Sequence, residues 1–156
     1  MVPERLLAEQ VTAEALLADS VVVAEHKMYV QGGAWNTIFA QALPARHPRI
    51  GIGLVVRVPY ALADNLAKRF ELTLEDEDGN QLPIGDPGGQ AAIEGSFTVG
   101  RPPGIQPGDE QLVALAINLD GLSFERAGAY VFKIRIDERE VKALPFRVRV
   151  SQRPGS

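Results

Sequence analysis

Four stretches of the chain alternate apolar and polar residues with period two, the pattern of strands with one dry face and one wet face. Ile52, Leu54, Val56 and Val58 oppose Gly53, Val55 and Arg57. Phe70, Leu72 and Leu74 oppose Glu71, Thr73 and Glu75. Tyr130, Phe132, Ile134 and Ile136 oppose Val131, Lys133, Arg135 and Asp137, and Phe146, Val148 and Val150 oppose Arg147, Arg149 and Ser151. Residues 93–99 and 112–119 are further strand candidates. Val21, Val22 and Val23 are branched residues stiff at χ1, which favours a strand, and Met28 to Gln31 reads as its hairpin return across Glu25-His26-Lys27. Gly32-Gly33 then breaks the ladder and turns Trp35 inward.

The connectors agree with a chain of short strands. Asp78-Gly79 between Leu74 and Leu82 is a tight-hairpin signal, because glycine takes positive φ without a Cβ clash. Pro87-Gly88, Pro103-Gly104 and Pro107-Gly108 each suit the central pair of a type II turn. Residues 62–68 predict one short helix between two strands, too brief to form a layer of its own. Residues 3–14 fit either a short helix, with Leu6, Leu7 and Val11 on one side, or a loose lead-in to a strand. The expected organisation is a lead-in over 1–14, one β domain over 15–151 and a flexible tail over 152–156. Strands of this length and spacing predict a mainly β protein, an antiparallel immunoglobulin-like β-sandwich.

Gly128-Ala129-Tyr130 opens one of these strands after a loop. In immunoglobulin-like sandwiches a tyrosine at such a corner packs inward and returns its hydroxyl to nearby backbone. Tyr130 is therefore expected to be buried, its hydroxyl bonded to main chain between Leu122 and Ala127.

Several segments together carry a family resemblance. Leu17-Ala18-Asp19, the run from Tyr29 to Trp35, Leu74 to Gly79, and Val99 to Gly104 belong to it. So do Ala116 to Leu119, Gly128-Ala129-Tyr130 and Leu144 to Val148. With these the chain resembles an uncharacterised bacterial β-sandwich family catalogued only as a domain of unknown function. The resemblance covers most of the chain after about residue 15. It implies the sandwich and supplies no activity, cofactor or catalytic residue.

Composition narrows the function classes. The chain has 156 residues, of which 46% are apolar, enough for one core and against general disorder. With 16 basic and 20 acidic residues the formal charge is −4, which argues against nucleic acid as a partner. There is no cysteine, hence no disulfide framework, thiolate metal site or cysteine nucleophile. Glu9 and Glu14 interrupt the N-terminal apolar residues, unlike a secretory signal, and no apolar run has the length of a membrane span. A cytoplasmic protein with no membrane partner is expected.

Candidate chemistry is sparse. His26 and His47 are the only histidines and both fall in loops by this reading, so they make a poor metal pair and read as solvated residues. A hydrolase built from Asp64, Asp19 and a histidine has no supporting spacing. Glu75-Asp76-Glu77-Asp78-Gly79-Asn80 begins like a calcium loop, yet Gln81 replaces the turn glycine and Pro87 the bidentate glutamate. A charged hairpin is the simpler account. The Gly-rich runs 85–89 and 100–104 do not lead from strand to helix, so neither is a phosphate cradle. No catalytic residue, metal or cofactor is assigned.

Two surfaces remain. Arg101, Pro102 and Pro103 present a forked donor on an extended segment, suited to contact or to a rigid crossover. Lys133, Arg135, Arg147 and Arg149 face outward together if the last two strands pair; an acidic neighbouring strand would neutralise them, and otherwise they would attract an acidic partner. The leading expectation is a non-catalytic protein-interaction or scaffold module with an unknown protein partner. The alternative is a sandwich that binds a small ligand or carbohydrate by stacking on Tyr29, Trp35 and Tyr60. Homo-oligomerisation through uncovered sheet edges is also open.

Overall fold

The computed structural model describes residues 10–84 and 91–151. Two sheets pack face to face. The first has the order β2-β1-β4-β8, built from β1 (Thr12–Ala24), β2 (Lys27–Gly33), β4 (Ala45–Pro59) and β8 (Glu110–Phe124). The second has the order β3-β10-β9-β5-β6, from β3 (Thr37–Ala40), β10 (Arg139–Val150), β9 (Gly128–Ile136), β5 (Lys68–Asp76) and β6 (Gln81–Leu82). β7 (Ala92–Phe97) shares the remaining edge of β5 with β6, taking Lys68 to Thr73 while β6 takes Leu74 and Glu75. The pairings are antiparallel except β3 on β10, which is parallel.

The four alternating segments become the four strands that fill the core. Ile50, Ile52, Leu54, Val56 and Val58 on β4 face Leu72, Leu74, Phe132, Ile134 and Val148 from the other sheet, and all are fully or almost fully buried. Fully burying an aliphatic or aromatic side chain contributes about 1.5–3 kcal/mol, so this shared interior is the main stabilising term. Two residues depart from the expected pattern at strand ends. Phe70 is only half-buried at the margin of the core, and Val150, last in β10, is 41% exposed.

Tyr130 sits at the predicted corner. It is buried, stacks on Phe146 at 5.6 Å, and its hydroxyl donates to the Arg126 carbonyl at 2.5 Å. This backbone closure is the hallmark of immunoglobulin-like sandwiches. The turns also follow the sequence. Gly79 has φ +81 in the hairpin that pairs Leu74 with Leu82. Gly104 and Gly108 have φ +96, and Ile105 and Asp109 donate to the Pro102 and Gln106 carbonyls, so each closes a type II turn.

The predicted helix over 62–68 is corrected. Only one 3-10 turn forms, earlier, at Tyr60–Leu62. Asn65 then adopts φ +61 and gives its N–H to the Val99 carbonyl, while Asp64 accepts the Leu66 N–H, so the backbone groups a helix would use are taken elsewhere. Lys68 is already paired in β5. At the other end, residues 12–14 belong to β1, and Val11 and Ala13 join the core. Leu6 and Leu7, the Pro87-Gly88 turn, the glycines at 85, 88 and 89, and the tail over 152–156 lie outside the described residues.

The β1–β2 hairpin has a shape that alternation did not announce. β1 pairs with β4 only from Thr12 to Ala18, then continues with β2 across the outer face of the first sheet. Val21 is buried there, above Gly51 and Gly53 of β4. Asn118 on β8 holds it at two points, accepting the Val21 N–H at 3.1 Å and donating to its carbonyl at 2.8 Å.

Candidate functional site

The four cations expected on one face separate into two kinds. They do share the outer face of the second sheet, because each alternates with a buried neighbour. β5 lies beside β9 and supplies carboxylates, Glu71 directly across from Arg135 and Glu75 diagonal to Lys133. Lys133 meets Glu75 at 2.8 Å and Arg135 meets Glu71 at 3.2 Å. Bonding to Glu75 holds the Lys133 ammonium above its ordinary pKa. These two cations are therefore neutralised within the sheet, at a contribution of about 0–1 kcal/mol per pair.

Arg147 and Arg149 differ. They lie on β10 on the side away from β5, flanked by β3. Among the described residues no carboxylate stands within 4.0 Å of either guanidinium. Thr37 sits beside Arg147 and Phe39 beside Arg149 in the parallel register, so all four project to the same side. Phe39 is 70% exposed, the most exposed large apolar side chain among the described residues. Arg147 N–H to the Asn36 carbonyl and Ser151 N–H to the Ala40 carbonyl lock β3 onto β10. An exposed aromatic beside an arginine with no carboxylate partner is a combination enriched at interaction hot spots.

Phe39 was not legible in the sequence, because Thr37-Ile38-Phe39-Ala40 ends in three apolar residues and only its burial alternates. Ile38 and Ala40 are buried, so Phe39 must face out. A phenylalanine invites assignment to the core, and a four-residue strand is a short window for periodicity.

Arg101 is occupied by its own chain. It donates to the Tyr60 carbonyl at 3.0 Å and the Ala61 carbonyl at 3.4 Å, and its guanidinium lies 4.1 Å from the Tyr60 ring centre. Pro102 and Pro103 begin the type II turn beside it. With His26, Leu112 and Ala114 this loop lines a cleft of about 700 Å³ beneath the hairpin tip.

The three aromatics of the ligand-stacking alternative are placed on different parts of the molecule. Tyr29 faces outward on β2, cross-strand from Val22, and both are 55% exposed. Trp35 packs against the core with its ring centre 5.9 Å from that of His47, and its Nε1 is buried without a partner. Tyr60 lies under Arg101. No ring contact among the described residues joins any two of them.

The acidic run closes a turn. Asp76 accepts the N–H groups of Asp78 and Asn80 and faces Arg126 at 3.6 Å, and the Asn80 N–H above all holds its carboxyl below the usual range. Asp64 caps Leu66 and pairs with Lys68 at 3.8 Å. No group of three metal-ligating side chains occurs among the described residues. A cleft of about 1190 Å³ opens between the β5–β6 hairpin and the β8–β9 turn, with Asp76, Glu77, Arg126, Phe124 and Tyr130 in its walls.

These features define a two-sheet β-sandwich with an immunoglobulin-like tyrosine corner and a basic, aromatic-bearing outer face. The chain belongs to a family of unknown function (DUF6941), whose model matches residues 14–149. No curated protein matches it. Among solved structures it is similar to an immunoglobulin-like protein from Pseudomonas aeruginosa, at 12% identity and TM-score 0.44, over 90% of this chain and 97% of that one. It is also similar to a Pseudomonas fluorescens alkylpurine DNA glycosylase bound to DNA containing an abasic site analog, at 11% identity and TM-score 0.43. That likeness covers 93% of this chain and spans about a third, 32%, of the glycosylase chain. No helix among the described residues is long and apolar enough to cross a membrane.

Proposed function

We propose that the protein is a non-catalytic interaction module whose outer β3–β10 face binds an acidic, extended segment of another protein. One observation carries this reading: Arg147 and Arg149 stand unpaired beside the exposed Phe39, while the two other cations of the same face are neutralised internally. A folded chain with net charge −4 that leaves two adjacent arginines without carboxylates offers a local attraction for negative charge. Phe39 adds apolar area beside the two arginines.

Selection of random displayed peptides on the immobilised protein tests the proposal. The expected outcome is enrichment of segments rich in Asp and Glu with an apolar residue among them. Arg147→Glu with Arg149→Glu should weaken binding of the enriched peptides about tenfold or more, and Phe39→Ala should weaken it several-fold. Selected peptides without acidic bias, or equal binding to the charge-reversed protein, would overturn it.

A further inference from the structure

β8 is an edge strand of unusual character. It is 15 residues long and pairs only with β4, so its other side carries a row of backbone groups with no strand beside them. Proteins blunt such edges with charges, prolines, bulges or brevity. The other edges of this sandwich do so: β3 has four residues, β6 two, β7 six including Glu94, and β2 ends in Gly32-Gly33. β8 has none of these devices in its middle. Residues 111–119, Gln-Leu-Val-Ala-Leu-Ala-Ile-Asn-Leu, contain no charge, proline or glycine, and this segment runs in unbroken register against β4.

Its side chains are unfinished in the same place. Leu112 is 58% exposed on the outer face. Val113 and Leu115 touch the core but stay only partly buried, at the margin where a further strand would cover them.

We propose that β8 recognises β8 of a second copy, antiparallel about a twofold axis, joining the two four-stranded sheets into one of eight strands. An isologous pair opposes residue i of one copy to residue j of the other with a constant sum, and charge selects the register. An axis through Leu115 sets Glu110 against Asp120, like charges directly opposite. An axis through Ala116 sets Leu112 against Asp120. An axis through Ala114 avoids both: the exposed Leu112 lies on the small Ala116 of the partner copy, and inward-facing Val113 lies beside Leu115. Axes nearer the start of the strand pair fewer residues, and axes nearer its end run into Gly121, whose φ of +68 interrupts the extended backbone.

The chain has no native cysteine, which makes the register directly measurable. The full chain should sediment as a dimer at about 100 µM, within the range of a weak self-associating edge. Ala114→Cys should form a disulfide-linked dimer on oxidation, because cross-strand Cβ atoms lie about 4.5–5.5 Å apart. Leu112→Cys should not, since the two copies of that residue are offset by four strand positions, about 13 Å. Leu112→Lys should weaken the dimer about tenfold or more, through two symmetric contacts. A monomer at that concentration overturns the proposal. So does a dimer in which cysteine at 114 fails to cross-link, or in which 112 cross-links as readily. Should Leu112→Lys lose its fold by circular dichroism, the cysteine pair alone decides.

Discussion

His47 shows how burial and charge compete at one side chain. It is half-buried on β4 against Trp35, and burial lowers its pKa below the ordinary 6.5, outweighing the nearby Asp19 carboxylate, which acts to raise it. The folded chain therefore resists the proton more than the unfolded chain does. Stability from this group is complete above pH 6.5 and declines as pH falls from 6.5 through the lowered folded value. Trp35 is the only tryptophan, so its emission reports the titration directly. We expect a fluorescence midpoint below 6.5 that disappears in His47→Gln, together with a flatter dependence of the urea midpoint on pH just under 6.5. An unshifted midpoint would contradict the burial argument. Little of this was legible beforehand. Leu43-Pro44-Ala45-Arg46-His47-Pro48 reads as a loop by its prolines, whereas β4 begins at Ala45 and carries Pro48 inside its span. Tyr130 was legible, because a corner tyrosine after Gly128-Ala129 is tied to the chain within four residues, to Arg126.

At the scale of elements, alternation predicted which side chains of β4, β9, β5 and β10 face the interior, each of these strands lying between two others, with Phe70 and Val150 the departures at strand ends. It did not predict what happens on the opposite side. Alternation groups Gly53 and Val55 with Arg57 on the wet side of β4, yet Gly51 and Gly53 are covered by the folded-over hairpin. Period two separates the faces of a strand and carries no information on what covers either. The glycines themselves hold the missing signal, as close approach of another segment is one reason for glycine inside a strand. Their two environments give unequal predictions. A Cβ at Gly51 would stand 3.0 Å from Ser20 Cα and the Val21 nitrogen, backbone atoms that Asn118 pins in place. A Cβ at Gly53 would meet Met28 Sδ at 2.8 Å, the flexible end of a thioether that can swing aside. Gly51→Ala should therefore destabilise by about 1–3 kcal/mol, the range for overpacking, and Gly53→Ala by clearly less. Chemical denaturation of both variants checks the order, and a costlier Gly53→Ala would mean the hairpin is not held as Asn118 implies.

For the whole molecule, charge divides the surface into regions with different physics. Arg49, Arg57, Arg69, Lys133 and Arg135 all have carboxylate partners on adjacent strands, so these parts of the basic surface are locally neutral. That Arg147 and Arg149 differ from Lys133 and Arg135 on the same face was only half legible. The sequence placed four cations on one face, but which of them meet Glu71 and Glu75 depends on β9, not β10, being the neighbour of β5, and strand order is not encoded in alternation. The two proposed surfaces then respond oppositely to salt. Binding of an acidic peptide at the β3–β10 face draws on exposed charge, which is screened as the Debye length shrinks from about 10 Å at 0.1 M to about 3 Å at 1 M. Pairing through residues 111–119 of β8 involves backbone bonds and apolar side chains without a charge. Raising salt over that range should weaken peptide binding about tenfold or more and leave the dimer equal or slightly tighter. Titration calorimetry and sedimentation on one preparation measure both. Parallel loss of the two associations would place them on a single charged surface and contradict the assignment of Phe39, Arg147 and Arg149 to one and Leu112 to the other.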